Sequence, residues 1–523
     1  METQATAPVG PNTSERTRTT GLALGVIAFA VLTVFPIDPG NEPASRLAAV
    51  AALMAIWWIT QAIPLFATAL LPLVFFPLLG IMPGKELAPS YINSTIVLFI
   101  GGFMIALTMQ RWNLHRRIAL NIIRLVGGGP ARIVLGFMIA AAFLSMWISN
   151  TATAITVLPM GLAIVLQVEE QMGADDPGTH KFAVGLMLGI GYGCSVGGMT
   201  TLVGTPPNLS LVRIFEILFP EGPEIAFGQW MIVALPVGIV MLMVAWFLIT
   251  RVLYRAPPNV KVESSVVEQE LARLGPITFE ERAVLAVFAG AALLWVFRVD
   301  LTLGAFTLPG WSGLLPWPHF VDDGTVAITM ASLLFFIPGR EADGERTRLM
   351  GLEVIPRLPW NVVLLIGGGF ALAAAFVQTG LAQLIGGQFA AAGELPIFVL
   401  ILLVCLALTF LTELTSNTAT TEMILPILAS VAVVTGTHPL MLMIPATMSA
   451  SCAFMMPVAT PPNAIVFGSN RLTIAEMARA GIVLNLIGTL VIATAVYTIG
   501  LVVFGIEPGV VPDWAHTLAD GDH

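Results

Sequence analysis

Along the chain, long apolar runs alternate with short polar gaps. Runs near residues 21–37, 46–63, 66–82 and 94–110 approach the length, about 20 residues, that a helix needs to cross a bilayer core of roughly 30 Å. Others follow near 181–204, 226–253, 281–297, 323–338, 360–378, 439–458 and 480–505, which makes eleven predicted crossings. Two further apolar stretches, 131–167 and 391–435, are interrupted at their middles by the same five residues, "SNTAT", beginning at Ser149 and at Ser416. Backbone that leaves the helix at membrane depth carries unpaired N–H and C=O groups, so it is tolerated only where protein or a wet cavity lines it. Each interrupted stretch reads as either two spans or one re-entrant hairpin.

Charge narrows the choice, because Lys and Arg accumulate on the cytoplasmic side. With the N-terminus inside and both interrupted stretches returning to their own side, 19 of the 23 Lys and Arg fall in or beside the cytoplasm. Arg46, Lys85, Arg213 and Arg298 fall outside. Counting one stretch as a single crossing spoils this division, and the polar midpoints favour hairpins over paired spans. Composition agrees: 57% hydrophobic and 11% charged residues, with mean hydropathy +0.89, against roughly 25% charged residues in a soluble domain. The expectation is an all-α polytopic protein of the plasma membrane. The first apolar run lacks a cleavage site and reads as a retained helix. Cys194, Cys405 and Cys452 lie in apolar segments at neither disulfide nor metal-ligand spacing, and read as packing residues. The net charge of −9 points to no partner, and nothing suggests nucleic acid.

The repeat is larger than SNTAT. "FIGGF" ends at Phe103 and "IGGGF" at Phe370, each 46 residues before its SNT (149 − 103 = 416 − 370), and "GTPPN" (204–208) and "ATPPN" (459–463) follow. Five predicted crossings separate the starts of the two GGF helices. Five is odd, so the copies run in opposite directions, as in secondary transporters with broken helices and a midplane site. The predicted organisation is a cytoplasmic tail 1–20, scaffold helices 21–93, a first repeat 94–254 with hairpin 131–167, and a cytoplasmic linker 255–280. Residues 281–359 lead into a second repeat 360–505 with hairpin 391–435, and an external tail 506–523 ends the chain.

The motifs carry chemistry. Ser, Asn and Thr cap helix N-termini, so each SNT can start an outgoing half-helix whose free N–H groups and positive dipole end face the midplane, where an anion is favoured. In TPPN the first Pro disfavours helical geometry at the preceding residue while suiting a new first turn. Thr205 and Thr460 therefore mark breaks that free the carbonyls of Gly204 and Ala459. Such carbonyls, with hydroxyls and amide oxygens, form cages for a hard cation such as Na+. The GGF glycines read as close helix packing. Glu413 and Glu422 flank the second SNT and are functional candidates as intramembrane acids, although Glu413 reads equally as a partner for hairpin backbone. His115 reads as interfacial. A channel would show a continuous polar path, and an intramembrane protease a paired dyad. The polar residues instead concentrate at two breaks, no His lies near Ser149 or Ser416 in sequence, and no enzyme is expected.

With these motifs in hand, the chain resembles the divalent anion/sodium symporters. The resemblance runs from "WWITQAIPLFATALLPLVFFPLLGIM" through "WNLHRRIAL" to both SNT and both TPPN motifs, with Gln61 departing from a common Glu. It implies a homodimer whose transport domain moves as an elevator against a scaffold. It further implies a first Na+ site at Ser145, Ser149, Asn150 and the carbonyl of Gly204, and a second at Thr412, Thr415, Asn417 and the carbonyl of Ala459. Asn150, Thr151, Thr205, Asn417, Thr418, Thr460 and Pro461 are the implied substrate surface. Sulfate-carrying relatives tend to alter the Asn of SNT. Both copies keep it here, so the expected cargo is a C4-dicarboxylate such as succinate, malate or fumarate, moved with two or more Na+. A sodium-independent exchanger and a citrate or sulfate carrier are the alternatives.

Overall fold

The computed structural model describes residues 15–173, 175–255, 265–303, 306–341 and 343–520. Parts of the expected N-terminal tail, the linker and the C-terminal tail lie outside the described residues. Among those described, eight helices are long and apolar enough to cross a membrane, and five shorter apolar helices accompany them. Every one of the eleven predicted spans falls on a helix or a pair of half-helices. Among the described residues, strand is confined to two small antiparallel ribbons, Leu301–Leu303 with Phe306–Leu308 and Pro338–Arg340 with Arg346–Arg348.

Both interrupted stretches are helical hairpins. Pro130–Ser145 turns back into Asn150–Met172, and Ile397–Thr412 turns back into Asn417–Val434. The incoming helices are both 16 residues long and begin and end 267 positions apart (397 − 130 = 412 − 145). The GGF helices match as well. Ser94–Arg111 passes through Asn113, at φ +57°, into Leu114–Val126. Trp360–Thr379 passes through Gly380, at φ +75°, into Leu381–Gly387. Both left-handed residues stand ten positions after the Phe of GGF (113 − 103 = 380 − 370). Asn and Gly are the residue types that adopt this conformation most cheaply.

Two spans are longer and more broken than hydropathy suggested. The run 181–204 is a helix, Pro177–Gly198, that stops and resumes as Pro206–Leu218. The run 439–458 is Leu440–Ala450, resuming as Pro461–Phe467. Proline sets both restarts: Thr205 (φ −148°, ψ 142°) and Thr460 (φ −136°, ψ 150°) are extended, as a residue before Pro prefers.

Packing repeats the symmetry. Each incoming hairpin helix lies along the first half of its own broken helix. Close approach in the first copy depends on glycines four apart: a Cβ on Gly193 would sit 2.8 Å from the carbonyl oxygen of Met138, and one on Gly197 would sit 2.1 Å from that of Ala142. The outgoing helices cross over. Asn150–Met172 packs on Pro461–Phe467, and Asn417–Val434 packs on Pro206–Leu218, so each repeat's hairpin meets the other repeat's resumed half-helix. The GGF glycines serve packing as expected, with a Cβ on Gly101 meeting the backbone of Ala327 at 2.7 Å and one on Gly368 meeting the oxygen of Ala69 at 2.4 Å. A separate apolar core joins Trp360–Thr379 to Glu42–Thr60 and Leu71–Leu78.

Candidate functional site

At the first hairpin tip, Ser149 takes the predicted capping role, its hydroxyl accepting from the N–H of Ala152 at 3.2 Å. Asn150 begins the outgoing helix with its side chain turned back to the incoming one, where Ser145 donates to its Oδ1 at 2.5 Å. The broken helix supplies the other wall. A Cβ on Gly198 would lie 2.3 Å from Asn150 Oδ1, and a Cβ on Gly204 would lie 2.4 Å from the carbonyl oxygen of Gly198. Only glycine backbone fits against this amide. Asn208, the last residue of TPPN, splints the break, with Nδ2 donating to the carbonyl of Thr201 (2.6 Å) and sharing its second hydrogen between those of Gly198 (3.2 Å) and Met199 (3.3 Å).

The second tip repeats the arrangement. Thr412 donates to Asn417 Oδ1 at 2.6 Å and faces the carbonyl of Ala450 at 2.9 Å. One hydroxyl proton cannot serve two acceptors at once, so oxygen outnumbers protons here, a deficit that a cation would fill. Asn463 splints the second break through the carbonyls of Ala453 (2.9 Å) and Met456 (3.1 Å). Both splints reach the residues ten and seven positions upstream (208 − 198 = 463 − 453; 208 − 201 = 463 − 456). Among the described residues, the carbonyls of Gly204 and Ala459 accept no hydrogen bond from the chain.

Not every expected residue takes its expected posture. Thr415 turns its hydroxyl into the hairpin, onto the carbonyl of Leu411 (2.9 Å) and Thr420 (2.5 Å), so only its carbonyl is free for a cation. Ser416 and Thr205 occupy N-cap positions without a side-chain capping bond, whereas Thr460 accepts from the N–H of Asn463 at 3.3 Å. Thr151 and Asn417 are half-buried, Thr418, Thr205 and Thr460 are buried, and Pro461 is exposed. Among the described residues no hydrogen bond joins the two tips, which are connected through the crossed packing of helices. Gln61 is the left-handed C-cap of Glu42–Thr60 (φ +48°).

Sequence reasoning missed Gly198, Asn208 and Asn463; the signal for the two asparagines was their shared place at the end of each TPPN copy, and Gly198 carried none. It left Glu413 ambiguous, and its bonds now decide. Its carboxylate accepts from the backbone N–H of Met455 (2.8 Å) and Met456 (2.9 Å) and from Asn485 Nδ2 (2.7 Å), so it anchors the hairpin to the broken helix. The matching residue in the first copy is Met146 (413 − 267). There the link runs the other way, with Thr201 donating to the Met146 carbonyl at 2.5 Å. Glu422 is fully buried, takes a hydrogen bond from Ser210 across the repeat boundary, and abuts Gly369 of the second GGF helix. His115 is buried and is held by the carbonyl of Met109 at 3.2 Å. Burial lowers its pKa to about 4, so it is neutral at physiological pH.

Paired hairpins ending on paired broken helices define a helical membrane transporter. The fold matches the Alcanivorax borkumensis YdaH transporter (TM-score 0.53, 15% identity, 88% of this chain and 98% of that one). It also matches Neisseria gonorrhoeae MtrF (TM-score 0.54, 14% identity, 92% and 98%). The sodium:sulfate symporter transmembrane-region model matches residues 16–506, and the chain belongs to that family. It is 41% identical over 492 residues to the sodium-dependent dicarboxylate transporter SdcS of Staphylococcus saprophyticus, covering 93% of this chain and 92% of the relative. The Staphylococcus aureus SdcS is 42% identical over the same spans.

Proposed function

We propose that the chain is a sodium-coupled symporter of C4-dicarboxylates such as succinate, malate or fumarate, working as a homodimer in the plasma membrane with its N-terminus in the cytoplasm. The observation that carries this reading is the duplicated oxygen cluster, Ser145 with Asn150 and Thr412 with Asn417, each walled by a broken helix. The names of the SdcS relatives support the same cargo.

Each cluster receives one Na+, through Ser145, Ser149, Asn150 and the freed carbonyl of Gly204 or its neighbour Gly198, and through Thr412, Asn417 and the carbonyls of Thr415 and Ala459. The dianion lies between the tips, against Asn150, Thr151, Thr205, Asn417, Thr418, Thr460 and Pro461. No Lys or Arg occurs in the SNT or TPPN motifs, so the bound cations and the N-terminal ends of the outgoing helices supply the positive field. Two Na+ with one dianion leave the loaded site neutral, which lowers the cost of moving it through a low-dielectric barrier. The hairpins and broken helices pack on one another and move together as an elevator against the GGF helices. Counterflow of labelled succinate in proteoliposomes tests the reading. A carrier is accelerated by unlabelled succinate on the far side and, on this reading, is competed weakly by sulfate and citrate. Absence of counterflow, or sulfate as the better competitor, would reject it.

A further inference from the structure

A cavity of about 200 Å³ opens at the root of the first hairpin, where Pro130–Ser145 meets the start of Pro177–Gly198 and the end of the helix that runs from Phe227 to Leu253. Three cations converge on it, Lys181, Arg251 and Arg255, and no carboxylate is among its lining residues. Arg111, Arg116, Arg117 and Arg471 each bond a glutamate of the chain. Lys181, Arg251 and Arg255 have no such ion pair among the described residues. All three are exposed, and Arg251 leans over the ring of Trp246 at 5.9 Å.

The cavity's inner wall is apolar. Val134 and Phe182 are buried beneath it, and Tyr254 spends its hydroxyl on the carbonyl of Glu476 at 2.8 Å, presenting its ring. Position completes the picture. Arg251 stands near the end of a 27-residue apolar helix whose most apolar 18-residue stretch has mean hydropathy 2.7, the end at which such a span would reach the headgroups. Phe247 and Val252, on the same helix end, are each 57% exposed. A cationic mouth over an apolar wall, at the level of the headgroups, matches an amphiphile with one anionic group better than a free ion.

We propose that this cavity binds the phosphate group of an anionic phospholipid, with the acyl chains lying along Phe247 and Val252. The lipid ties the hairpin root to two neighbouring helix ends, and the proposal is independent of the cargo carried at the SNT tips. Native mass spectrometry of the purified full-length protein with phosphatidylglycerol or phosphatidylcholine tests it. Phosphatidylglycerol should bind preferentially. A basic residue near the surface contributes roughly 1 kcal/mol toward an anionic lipid, so the triple variant Lys181→Gln, Arg251→Gln, Arg255→Gln should bind about a hundredfold more weakly. Lys181→Arg with Arg251→Lys and Arg255→Lys should retain binding, and succinate binding by both variants reports that they are folded. Equal binding of the two lipids, or undiminished phosphatidylglycerol binding in the neutral variant, would overturn the proposal. Displacement of the lipid by millimolar inorganic phosphate would also overturn it, by marking a free-anion pocket.

Discussion

Replacing Glu413 with Ala should damage the second oxygen cluster without touching it. The side chain is 3% exposed and gathers three donors, the N–H groups of Met455 and Met456 and the amide of Asn485. Asn485 can turn to another partner, but the two backbone N–H groups belong to the helix break and cannot. A buried donor left without a partner costs about 1–3 kcal/mol, so the two together cost about 2–6 kcal/mol. Glu413→Gln keeps one acceptor and turns an NH2 group toward the second N–H, for a loss of about 1–3 kcal/mol. The same break carries Ala459 and the Asn463 splint, and the hairpin it anchors carries Thr412 and Asn417, so a looser break also weakens the cation cluster. Thermal unfolding in detergent, with and without sodium, should rank wild type above Gln and Gln above Ala. Sodium titration of succinate binding should show at least a tenfold weaker sodium response for Ala. An Ala variant as stable as wild type, with an unchanged sodium curve, would refute the anchoring role.

On the proposed reading Asn150→Ala and Asn417→Ala each remove an amide shared by cation and cargo, worth roughly 1–3 kcal/mol, so the half-saturating succinate concentration should rise about tenfold to a hundredfold. Wild-type uptake kinetics in either would contradict the site. Gly198→Ala should abolish transport, because its Cβ would sit 2.3 Å from Asn150 Oδ1. Gly102→Ala should be tolerated, since its Cβ would meet Val203 at 3.4 Å. Equal uptake by the two variants would remove Gly198 from the cluster. Cysteines at Leu125 and Leu395, 89% and 40% exposed, should react with an impermeant maleimide from opposite faces of the membrane. The native cysteines are buried and add little background. Labelling of both positions from one face would break the inverted topology.

Much of the architecture was legible because bilayer thickness leaves a strong mark on sequence. The hairpin predicted at 131–167 begins at Pro130, and Thr205 and Thr460, each followed by Pro, adopt the extended backbone that the proline rule implies. Hydropathy failed where a span is built from halves. Pro206–Leu218 carries Arg213 and Glu216, whose 2.7 Å ion pair lowers the apolar average of a segment that is largely buried. Pro461–Phe467 has only seven residues, too few for any window to recognise. Within the candidate site, Asn150 and Asn417 stand in the duplicated motif itself, whereas Ser145 and Thr412 lie outside it and were implied only by the family resemblance. Gly198 was not legible, since it is one of several glycines in its helix and only the fold puts it against Asn150. Thr415 was expected at the second cation site, but composition cannot say which of its oxygens would face a cation, and its hydroxyl pairs with that of Thr420.

The central claim is that cation and anion are bound by one shared set of groups, so their affinities must reinforce each other by the same factor. Equilibrium binding of succinate to the purified protein, measured across a sodium titration and with potassium in its place, tests this most directly. The account predicts that sodium raises succinate affinity, that succinate raises sodium affinity equally, and that potassium replaces neither effect. Equal succinate affinity in sodium and in potassium would contradict it and identify a sodium-independent exchanger instead.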